Sequence, residues 1–551
     1  RDGGAEGPEP DPRATGAGAA RHRDRPLRLL QGLPKGQALR QQLHRPRPQM
    51  PQGTGLCLRR RILSEGPITH LPFVLIPPGA YMVTTLLPRD PDALMARDTS
   101  DSTPIDSIGQ LVERLDSGSK PKERWRIGTE HEKFGFYIAD CSPVPYDGPQ
   151  GIEKLLEALN GMLGWEPILD RGLIIGMVDP VGGGAISLEP GGQLELSGAP
   201  VETIHQTCSE TNSHLAQVRE VAEPLGIGFL GLGMSPKWKL AETPRMPKSR
   251  YDIMTGYMPK VGGKGLDMMY RTATIQVNLD FSSEADMVKK LRVGVALQPI
   301  ATAIFANSPF TEGKPNGYQS YRAEIWRDTD PHRTGMMPFA FEDGFGFERY
   351  VDWALDVPMY FVKRGGTYHD VTGTTFRQFL DGALRDRLPG VVPDIGDFDN
   401  HISTLFPEVR LKRYLEMRGA DGGPWRRITA LPALWVGLLY DQTALDAAWD
   451  IVKDWSEAER QTLRDEVGRM GFSAPIAGRT ALDVAHEVVA IAADGLHRRN
   501  RLNKYGDDET HFLAPIEETV ASGVTPAQRM LRQFAGEWSG NIDRVFTAHA
   551  F

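Results

Sequence analysis

From about residue 103 onward, apolar residues recur along the chain with the periods of regular secondary structure. Intervals of three and four residues predict helices at about 105–117, 152–163, 200–225 and 283–307, and over most of the chain beyond 440. Strict alternation or short apolar runs predict strands at about 126–138, 171–198, 227–232, 272–281, 356–362 and 409–418. Helices and strands mix without a regular β-α-β alternation, so the pattern predicts an α+β fold with an antiparallel sheet.

Residues 1 to about 95 lack any sustained hydrophobic period. This segment is rich in Arg, Pro, Gly and Gln and poor in aromatic residues, so it cannot bury enough apolar surface to offset its ordering entropy. We therefore predict a disordered extension at 1–95 and a folded domain at 103–551. An Arg-rich leader is also compatible with an organelle transit peptide. We favour a third interpretation, in which Met82 is the natural start and the residues before it belong to an over-extended reading frame.

Composition restricts the class of function. The net charge of −8 and the pI near 6.0 argue against nucleic-acid binding, as does the lack of a basic stripe interleaved with aromatic residues. Three cysteines are too few and too scattered for a disulfide framework or a thiolate metal site, which fits a reducing compartment. No apolar run approaches the roughly 20 residues that span a bilayer. We expect neither a nucleic-acid nor a membrane partner.

The strongest chemical signal lies in the predicted strand 126–138. Alternation places Glu130 and Glu132 on one face, and Phe134 and Phe136 follow on that same face. Two carboxylates about 7 Å apart along a strand repel each other when both are desolvated. Because the apolar run argues against full exposure, this pair predicts a site for a hard metal ion on a sheet.

Two further stretches place carboxylates beside a turn or beside cations. Glu189 precedes a Pro-Gly-Gly turn and Glu195 follows in the next strand, so both could project into one space. Glu416 shares a predicted strand face with Lys412 and Arg418, an arrangement suited to holding a metal next to a phosphate oxygen. The structural alternatives, solvated carboxylates and a surface salt bridge, stay open at this point.

The stretch 271–281 is an unusually clean alternation. Thr274, Gln276 and Asn278 line one face, and apolar residues line the other. Neutral hydrogen-bonding groups in a row suit the floor of a polar substrate cavity, whereas a half-exposed sheet strand is the alternative interpretation.

Arginines recur in polar loops, at Arg250, Arg322 and Arg333, and a guanidinium can bind a carboxylate or a phosphate bidentately. The sequence has no Walker A motif. Oxygen ligands without a Cys/His cluster favour magnesium over zinc, and the arginines favour phosphate chemistry. The residues alone thus indicate a magnesium- and nucleotide-dependent transferase or ligase.

The same stretches resemble a known family. Gly128-Thr-Glu-His-Glu-Lys-Phe-Gly-Phe136, together with 187–200, 266–269, 307–316 and 413–425, resembles plant-type (class II) glutamate–cysteine ligase, in order and over about 103–551. The resemblance implies a glutamine-synthetase-like catalytic domain, in which a curved antiparallel sheet forms a funnel surrounded by helices. It also implies that L-glutamate, L-cysteine and ATP give γ-glutamylcysteine, ADP and phosphate through a γ-glutamyl phosphate, with more than one Mg²⁺. This reaction is the first step of glutathione biosynthesis.

The resemblance further implies roles for individual residues. The magnesium ligands would be five carboxylates: Glu130, Glu132, Glu189, Glu195 and Glu416. The substrates would be bound by seven residues: Arg250, Tyr251, Thr274, Gln276, Asn278, Arg322 and Trp326. Arg418 and Lys412 would contact the ATP phosphates, and Arg250, Arg322 and Arg418 would be the catalytic residues.

One departure from the family concerns redox regulation. Plant members have a regulatory disulfide whose first cysteine matches Cys208, but the partner position holds Thr429, so we expect that switch to be absent. Because the leader does not match a plastid transit peptide, we expect a bacterial cytoplasmic enzyme, monomeric or homodimeric. The alternatives are a related glutamate–amine ligase, such as the glutamate–cysteine ligase of ergothioneine synthesis, and a catalytically silent binding protein. The presence of all five carboxylates argues against silence.

Overall fold

The computed structural model describes residues 101–551. The predicted disordered extension at 1–95 and the proposed start at Met82 lie outside these residues. The described part is built around a nine-stranded antiparallel sheet. Its strands are β1 (Ile127–Tyr137), β2 (Glu166–Asp170), β3 (Leu173–Val178), β4 (Ala185–Leu188), β5 (Leu194–Ser197), β6 (Ile227–Leu230), β7 (Thr274–Leu279), β8 (Val409–Leu411) and β9 (Leu415–Asp421). The predicted α+β class with an antiparallel sheet is confirmed.

The strand order is β8-β9-β7-β1-β5-β4-β3-β2, and β6 pairs with the second half of β1. The central position of β1 follows from its length of 11 residues, because it pairs with β7 and β5 over its first half and with β6 over its second. Short two-stranded pairs lie outside the sheet, at 310–311 with 314–315, 334–335 with 406–407, 361–364 with 367–370, and 475–476 with 479–480.

Seventeen α-helices are present in the described residues. They are α1 (Ile108–Asp116), α2 (Ile152–Leu163), α3 (Ile204–Ala222), α4 (Ser249–Tyr257), α5 (Gly265–Arg271), α6 (Glu284–Phe305), α7 (Tyr321–Arg327), α8 (Phe347–Asp356), α9 (Phe376–Leu380), α10 (Ile395–Ser403), α11 (Trp425–Leu439), α12 (Gln442–Val452), α13 (Glu457–Met470), α14 (Ala481–Arg499), α15 (Ala514–Ser522), α16 (Pro526–Ala535) and α17 (Arg544–Ala548). In the described part of the chain, we find no helix that combines the length and the apolar composition of a membrane span.

The core lies behind the central strands. Ile275, Val277 and Leu279, on the apolar face of β7, are fully buried in one cluster with residues of α6 and α11. Helix α6 begins after Ser283, whose hydroxyl accepts a hydrogen bond from the Asp286 amide (3.3 Å), as its capping pattern predicts. This packing leaves the opposite, polar face of β7 directed to the other side of the sheet.

Two predicted strands differ from the structure. Residues 409–418 form two strands and a tight connection at 412–414, closed by a hydrogen bond from the Lys412 amide to the Tyr414 carbonyl (2.9 Å). Lys412 therefore does not share a strand with Glu416, although period-2 alternation continues through the turn and hides it. The strand predicted at 356–362 begins later than expected, because α8 continues to Asp356 and the strand occupies Phe361–Arg364.

Candidate active site

Strand register brings the predicted carboxylates onto one face of the sheet. Directly opposed residues of antiparallel strands point to the same face. Glu130 of β1 is opposite Gln276 of β7, and Asn278 is opposite Glu416 of β9. On the other side of β1, Glu132 is opposite Glu195 of β5. The structure thus forms an acidic row of Glu416, Glu130, Glu132 and Glu195 across four neighbouring strands.

Glu130 lies at the centre of this row and is 7% exposed. The side-chain amide of Asn278 donates to Glu130 Oε1 (2.8 Å), and that of Gln276 donates to Oε2 (3.4 Å). Burial, together with the like charges of Glu416 and Glu195, raises the pKa of Glu130 to about 7. Neutral amides hold this carboxylate in place. Lys412 is the cation that acts on it, and its effect on the pKa is smaller than that of burial and of the two glutamates.

Glu132 and Glu195 are in a similar electrostatic position. The Thr274 amide donates to Glu132 Oε2 (3.0 Å), and the Ser187 hydroxyl donates to Glu195 Oε2 (2.7 Å). Burial first, and then the charge of Glu189, raises the pKa of both carboxyls, that of Glu132 to well above its usual value. Partly buried carboxylates that repel one another have the donor chemistry of a divalent cation site.

Glu189 completes the acidic row at the turn between β4 and β5. Gly192 occupies the left-handed region there (φ +84°), a conformation that glycine adopts without strain, and the turn carries Glu189 towards the start of α4. The Tyr251 hydroxyl lies 3.3 Å from Glu189 Oε1 and 3.0 Å from the Leu188 carbonyl. Lys248 Nζ is 3.3 Å from the same hydroxyl, which places a cation at this end of the row.

Glu416, at the other end, is surrounded by cations. Arg410 binds it bidentately (Nε to Oε2 2.9 Å, Nη2 to Oε1 2.8 Å), Arg418 Nη1 also donates to Oε1, and Lys412 Nζ lies 3.6 Å from Oε2. Burial alone would raise the pKa of Glu416, but Arg410, Lys412 and Arg418 together hold it far below its usual range. Its charge is therefore already compensated, unlike that of Glu130.

No three His, Cys, Asp or Glu side chains converge closely enough to form a ready metal centre among residues 101–551. The acidic row nevertheless fits a hard cation by its chemistry, since it offers only oxygen donors and three of its carboxyls have raised pKa values. Glu130, Glu132, Glu189 and Glu195 could accept a cation with little rearrangement of charge. Glu416 fits less well, because three guanidinium hydrogen bonds already engage its two oxygens.

A cavity lined in part by Arg322, Trp326, Phe406 and Arg418 lies next to the Glu416 end of the row, because Arg418 both lines the cavity and donates a hydrogen bond to Glu416. The Arg322 guanidinium is 5.6 Å from the Trp326 ring centroid, and its Nη2 donates to the Arg418 carbonyl (3.0 Å). Arg322 Nε and Trp326 Nε1 are buried and have no hydrogen-bond acceptor. Two buried donors without acceptors on one cavity wall are suited to an anionic ligand.

Comparison with known proteins identifies the family. The model of glutamate-cysteine ligase family 2 matches residues 126–548. The chain belongs to this family. It is 58% identical over 468 residues to the chloroplastic glutamate–cysteine ligase of Brassica juncea (85% of this chain, 88% of that protein), and likewise 58% identical to that of Arabidopsis thaliana (85% and 86%). Chloroplastic glutamate–cysteine ligase B of Oryza sativa subsp. japonica is 56% identical over 436 residues (79% and 86%).

Among solved structures, the glutamate–cysteine ligase of Francisella tularensis in complex with AMP matches 77% of this chain and 87% of its own, at 13% identity and a TM-score of 0.49. The comparisons confirm the family and the ligase activity predicted from the sequence. They contradict the predicted bacterial cytoplasmic location, since the curated relatives named above are all chloroplastic enzymes.

Some residues that the sequence predicts for the site of this ligase have side chains engaged by other parts of the protein. The Thr274 hydroxyl donates to the Ala420 carbonyl (2.7 Å), so its backbone amide rather than its side chain serves the row. Arg250 lies beside Tyr251, with its guanidinium 5.3 Å from the ring centroid. Arg333 is fully buried in an ion pair with Asp330 (2.7 Å) and is a structural residue, not a substrate clamp.

Sequence reasoning missed Arg410 and Lys248. Arg410 faces Glu416 only because the chain turns at 412–414, which makes the two residues direct partners across β8 and β9. A turn recognised at Lys412 would have revealed the pair. Lys248 reaches the row through the fold alone, since it is about 50 residues away from Glu195 in the chain.

Proposed function

We propose that this family member joins the γ-carboxylate of L-glutamate to the amine of L-cysteine in an ATP- and Mg²⁺-dependent reaction. The observation that carries the proposal is the row of buried and partly buried, mutually repelling carboxylates with cationic side chains at both ends. In a chain that is up to 58% identical to chloroplastic glutamate–cysteine ligases, this row has the charge pattern of a site that would hold divalent cations beside anionic substrates.

The reaction proceeds through two displacements. An oxygen of the glutamate γ-carboxylate attacks the terminal phosphorus of ATP, and ADP leaves. The cysteine amine then attacks the acyl carbon of the γ-glutamyl phosphate, loses a proton and displaces phosphate. Magnesium, when bound, neutralises charge on the phosphates and the reacting carboxylate. No protein nucleophile is needed.

The described residues divide this work between them. Glu130, Glu132, Glu189 and Glu195 would hold Mg²⁺, and more than one ion, because they form a row rather than a single cluster. Glu416 stays a predicted ligand, although its contacts favour a role in orienting Arg418 and Arg410.

The cationic groups would hold the anionic substrates. Arg322 and Trp326 would bind a glutamate carboxylate with their unpartnered donors. Arg418 and Lys412, at the Glu416 end, would contact the ATP phosphates, and Arg250 with Tyr251 would bind substrate at the opposite end. Gln276 and Asn278 orient Glu130 and line the floor between the two ends.

The test is a coupled assay of ADP release. Release that requires glutamate, cysteine and Mg²⁺ together, with γ-glutamylcysteine as the product, would support the proposal. Release with glutamate and a different amine, but not with cysteine, would instead indicate a sister ligase of the same fold. Absence of turnover with every amine would refute both enzymatic interpretations.

A further inference from the structure

Asp421, at the end of β9, is a buried carboxylate outside the acidic row. It is 1% exposed and accepts three hydrogen bonds of 2.7 Å: from the Ser320 hydroxyl to Oδ1, and from the Ser308 hydroxyl and the Asn307 amide to Oδ2. Three donors fix the orientation of this carboxylate. None of them belongs to the residues assigned to substrate or metal binding.

Two of these hydrogen bonds lead directly to Arg322. Ser308 Oγ, which donates to Asp421, also accepts from the Arg322 backbone amide (3.2 Å). Ser320 Oγ, which donates to the other oxygen, is the N-cap of α7 and accepts from the Ala323 amide (3.2 Å). Arg322 is the second residue of that helix, so Asp421 fixes its backbone by two independent routes.

The same strand also holds the far end of the Arg322 side chain. Arg322 Nη2 donates to the carbonyl of Arg418, three residues before Asp421 on β9. Burial lowers the pKa of Arg322, and Asp421 is the carboxylate that opposes this effect most strongly. Contacts with β9, made through Ser308 for the backbone and directly for the guanidinium, thus hold Arg322 in place, and Asp421 on the same strand stabilises its charge.

Packing leaves Asp421 little freedom to move. A Cβ atom placed on Gly233 would lie 2.4 Å from Asp421 Cγ, so the opposite segment of chain is already in close contact with the carboxylate. A shift of this side chain would be passed on to Ser308 and Ser320, and through them to Arg322.

We propose that Asp421 is a positioning residue that sets the Arg322 guanidinium, through Ser308 and Ser320, for the carboxylate of the amino-acid substrate. The inference rests on the proposed function, in which Arg322 binds glutamate. Asp421 touches no substrate in this scheme, and it acts on the affinity for glutamate rather than on the chemical steps.

Asp421→Asn is the main test. The amide keeps the shape of the side chain but removes its charge. Its NH₂ group cannot accept a hydrogen bond in either position, so the bond from the Ser320 hydroxyl or those from Ser308 and the Asn307 backbone amide are lost or reversed. We expect KM for glutamate to rise about ten- to a hundredfold, since hydrogen bonds to charged groups contribute on that scale. KM for ATP, KM for cysteine and kcat at saturating glutamate should each stay within about twofold of the native values, a split that general loosening of the fold would not produce.

Ser308→Ala keeps the test decisive if Asp421→Asn folds poorly. It removes the hydroxyl that links the carboxylate to the Arg322 amide but leaves the charge of Asp421 in place. A smaller rise in KM for glutamate, about three- to tenfold, is expected, because the bond lost to the Arg322 amide is a neutral one and the route through Ser320 remains.

Asp397→Asn is the matched control. Asp397, on α10, is 4% exposed and lies away from Arg322. Arg364 binds it bidentately (both bonds 2.6 Å). The Asp397→Asn substitution makes the same chemical change as Asp421→Asn. It should lower thermal stability without changing KM for glutamate.

Arg322→Lys distinguishes a failure of the positioning role of Asp421 from a failure of the proposed function. If Arg322→Lys raises KM for glutamate while Asp421→Asn and Ser308→Ala leave it unchanged, the positioning role is overturned and the proposed function stands. If Arg322→Lys also leaves it unchanged in an active ligase, the assignment of Arg322 to glutamate falls, and the role of Asp421 falls with it. Equal rises in all three KM values for Asp421→Asn would show a merely structural role.

Discussion

Glu130 and Glu416 occupy neighbouring positions in the acidic row, yet loss of their charges should change stability in opposite directions. In metal-free protein at pH 8, we expect Glu130→Gln to raise the free energy of unfolding. The same substitution at Glu416 should lower it. The reason is that burial and the like charges of Glu416 and Glu195 disfavour the ionised form of Glu130 more than Lys412 favours it, whereas Arg410 and Arg418 form ion pairs with Glu416.

The magnitude for Glu130 follows from its pKa. A rise from 4.5 in the unfolded chain to about 7 in the folded protein costs about 3 kcal/mol once the carboxyl is ionised. Glutamine removes this cost and can still accept from Asn278, but its NH₂ group opposes the amide of Gln276 and loses that bond, worth about 1 kcal/mol. The net expected gain is about 2 kcal/mol.

The pH dependence has a definite sign. Because the folded-state pKa of Glu130 is raised, the folded protein binds more protons than the unfolded chain between pH 4.5 and about 7. The native protein therefore loses stability as pH rises through this window. The advantage of Glu130→Gln should be small at pH 5 and reach its full size above pH 7.

Glu416→Gln should behave in the opposite way. Its folded-state pKa is strongly lowered, so its contribution to stability is present above pH 4.5 and is lost as the pH falls towards the folded pKa. Removal of the carboxylate leaves Arg410 and Arg418 buried without their anion, which costs about 3–5 kcal/mol at neutral pH.

Urea unfolding followed by tryptophan fluorescence, with EDTA present, measures all three proteins at pH 5 and pH 8. Added Mg²⁺ should then stabilise the native protein more than Glu130→Gln, since a ligand stabilises the state that binds it. The electrostatic reasoning would be refuted if Glu130→Gln were less stable than the native protein at pH 8. It would also be refuted if the difference in free energy of unfolding were the same at pH 5 and pH 8.

Three further predictions concern residues away from the row. Arg333→Met should lower the free energy of unfolding by about 3–5 kcal/mol, because Asp330 loses its buried partner, while KM for glutamate stays unchanged; a changed KM would return Arg333 to the site. Cys208→Ser should leave activity and its response to the oxidant diamide unchanged, since burial raises the pKa of this thiol and Thr429 occupies the partner position. Deletion of residues 1–81 should preserve activity and melting temperature, and a large loss of either would contradict the predicted domain boundary.

Alternation along the chain was sufficient to place side chains on faces but not to place strands beside one another. Glu130 and Glu132 on one face of β1, and Gln276 with Asn278 on one face of β7, follow from a period of two within each segment. The order β9-β7-β1-β5 depends on packing between segments that are far apart in the chain, more than 50 residues for β1 with β5 and more than 100 for β7 with β1 and β9 with β7, which no local pattern encodes. The acidic row could therefore be predicted as a set of residues but not as a geometry.

The same limit explains why five glutamates that look equivalent in the sequence differ in the structure. The hairpin of β8 and β9 places Arg410 opposite Glu416, so this carboxylate finds its counter-charge within its own supersecondary unit. Glu132 is opposite Glu195 across β1 and β5, so each of these meets another acid instead. A sheet face that buries like charges is stable only if something offsets their repulsion. Among the described residues, the direct ion pairs lie at the Glu416 end, whereas Lys412 and Arg322 offset the charges of Glu130 and Glu132 only in part. The middle of the row is thus where a metal ion gains most, and Glu130 and Glu132 are its strongest ligand candidates because nearby cations compensate their charges only in part.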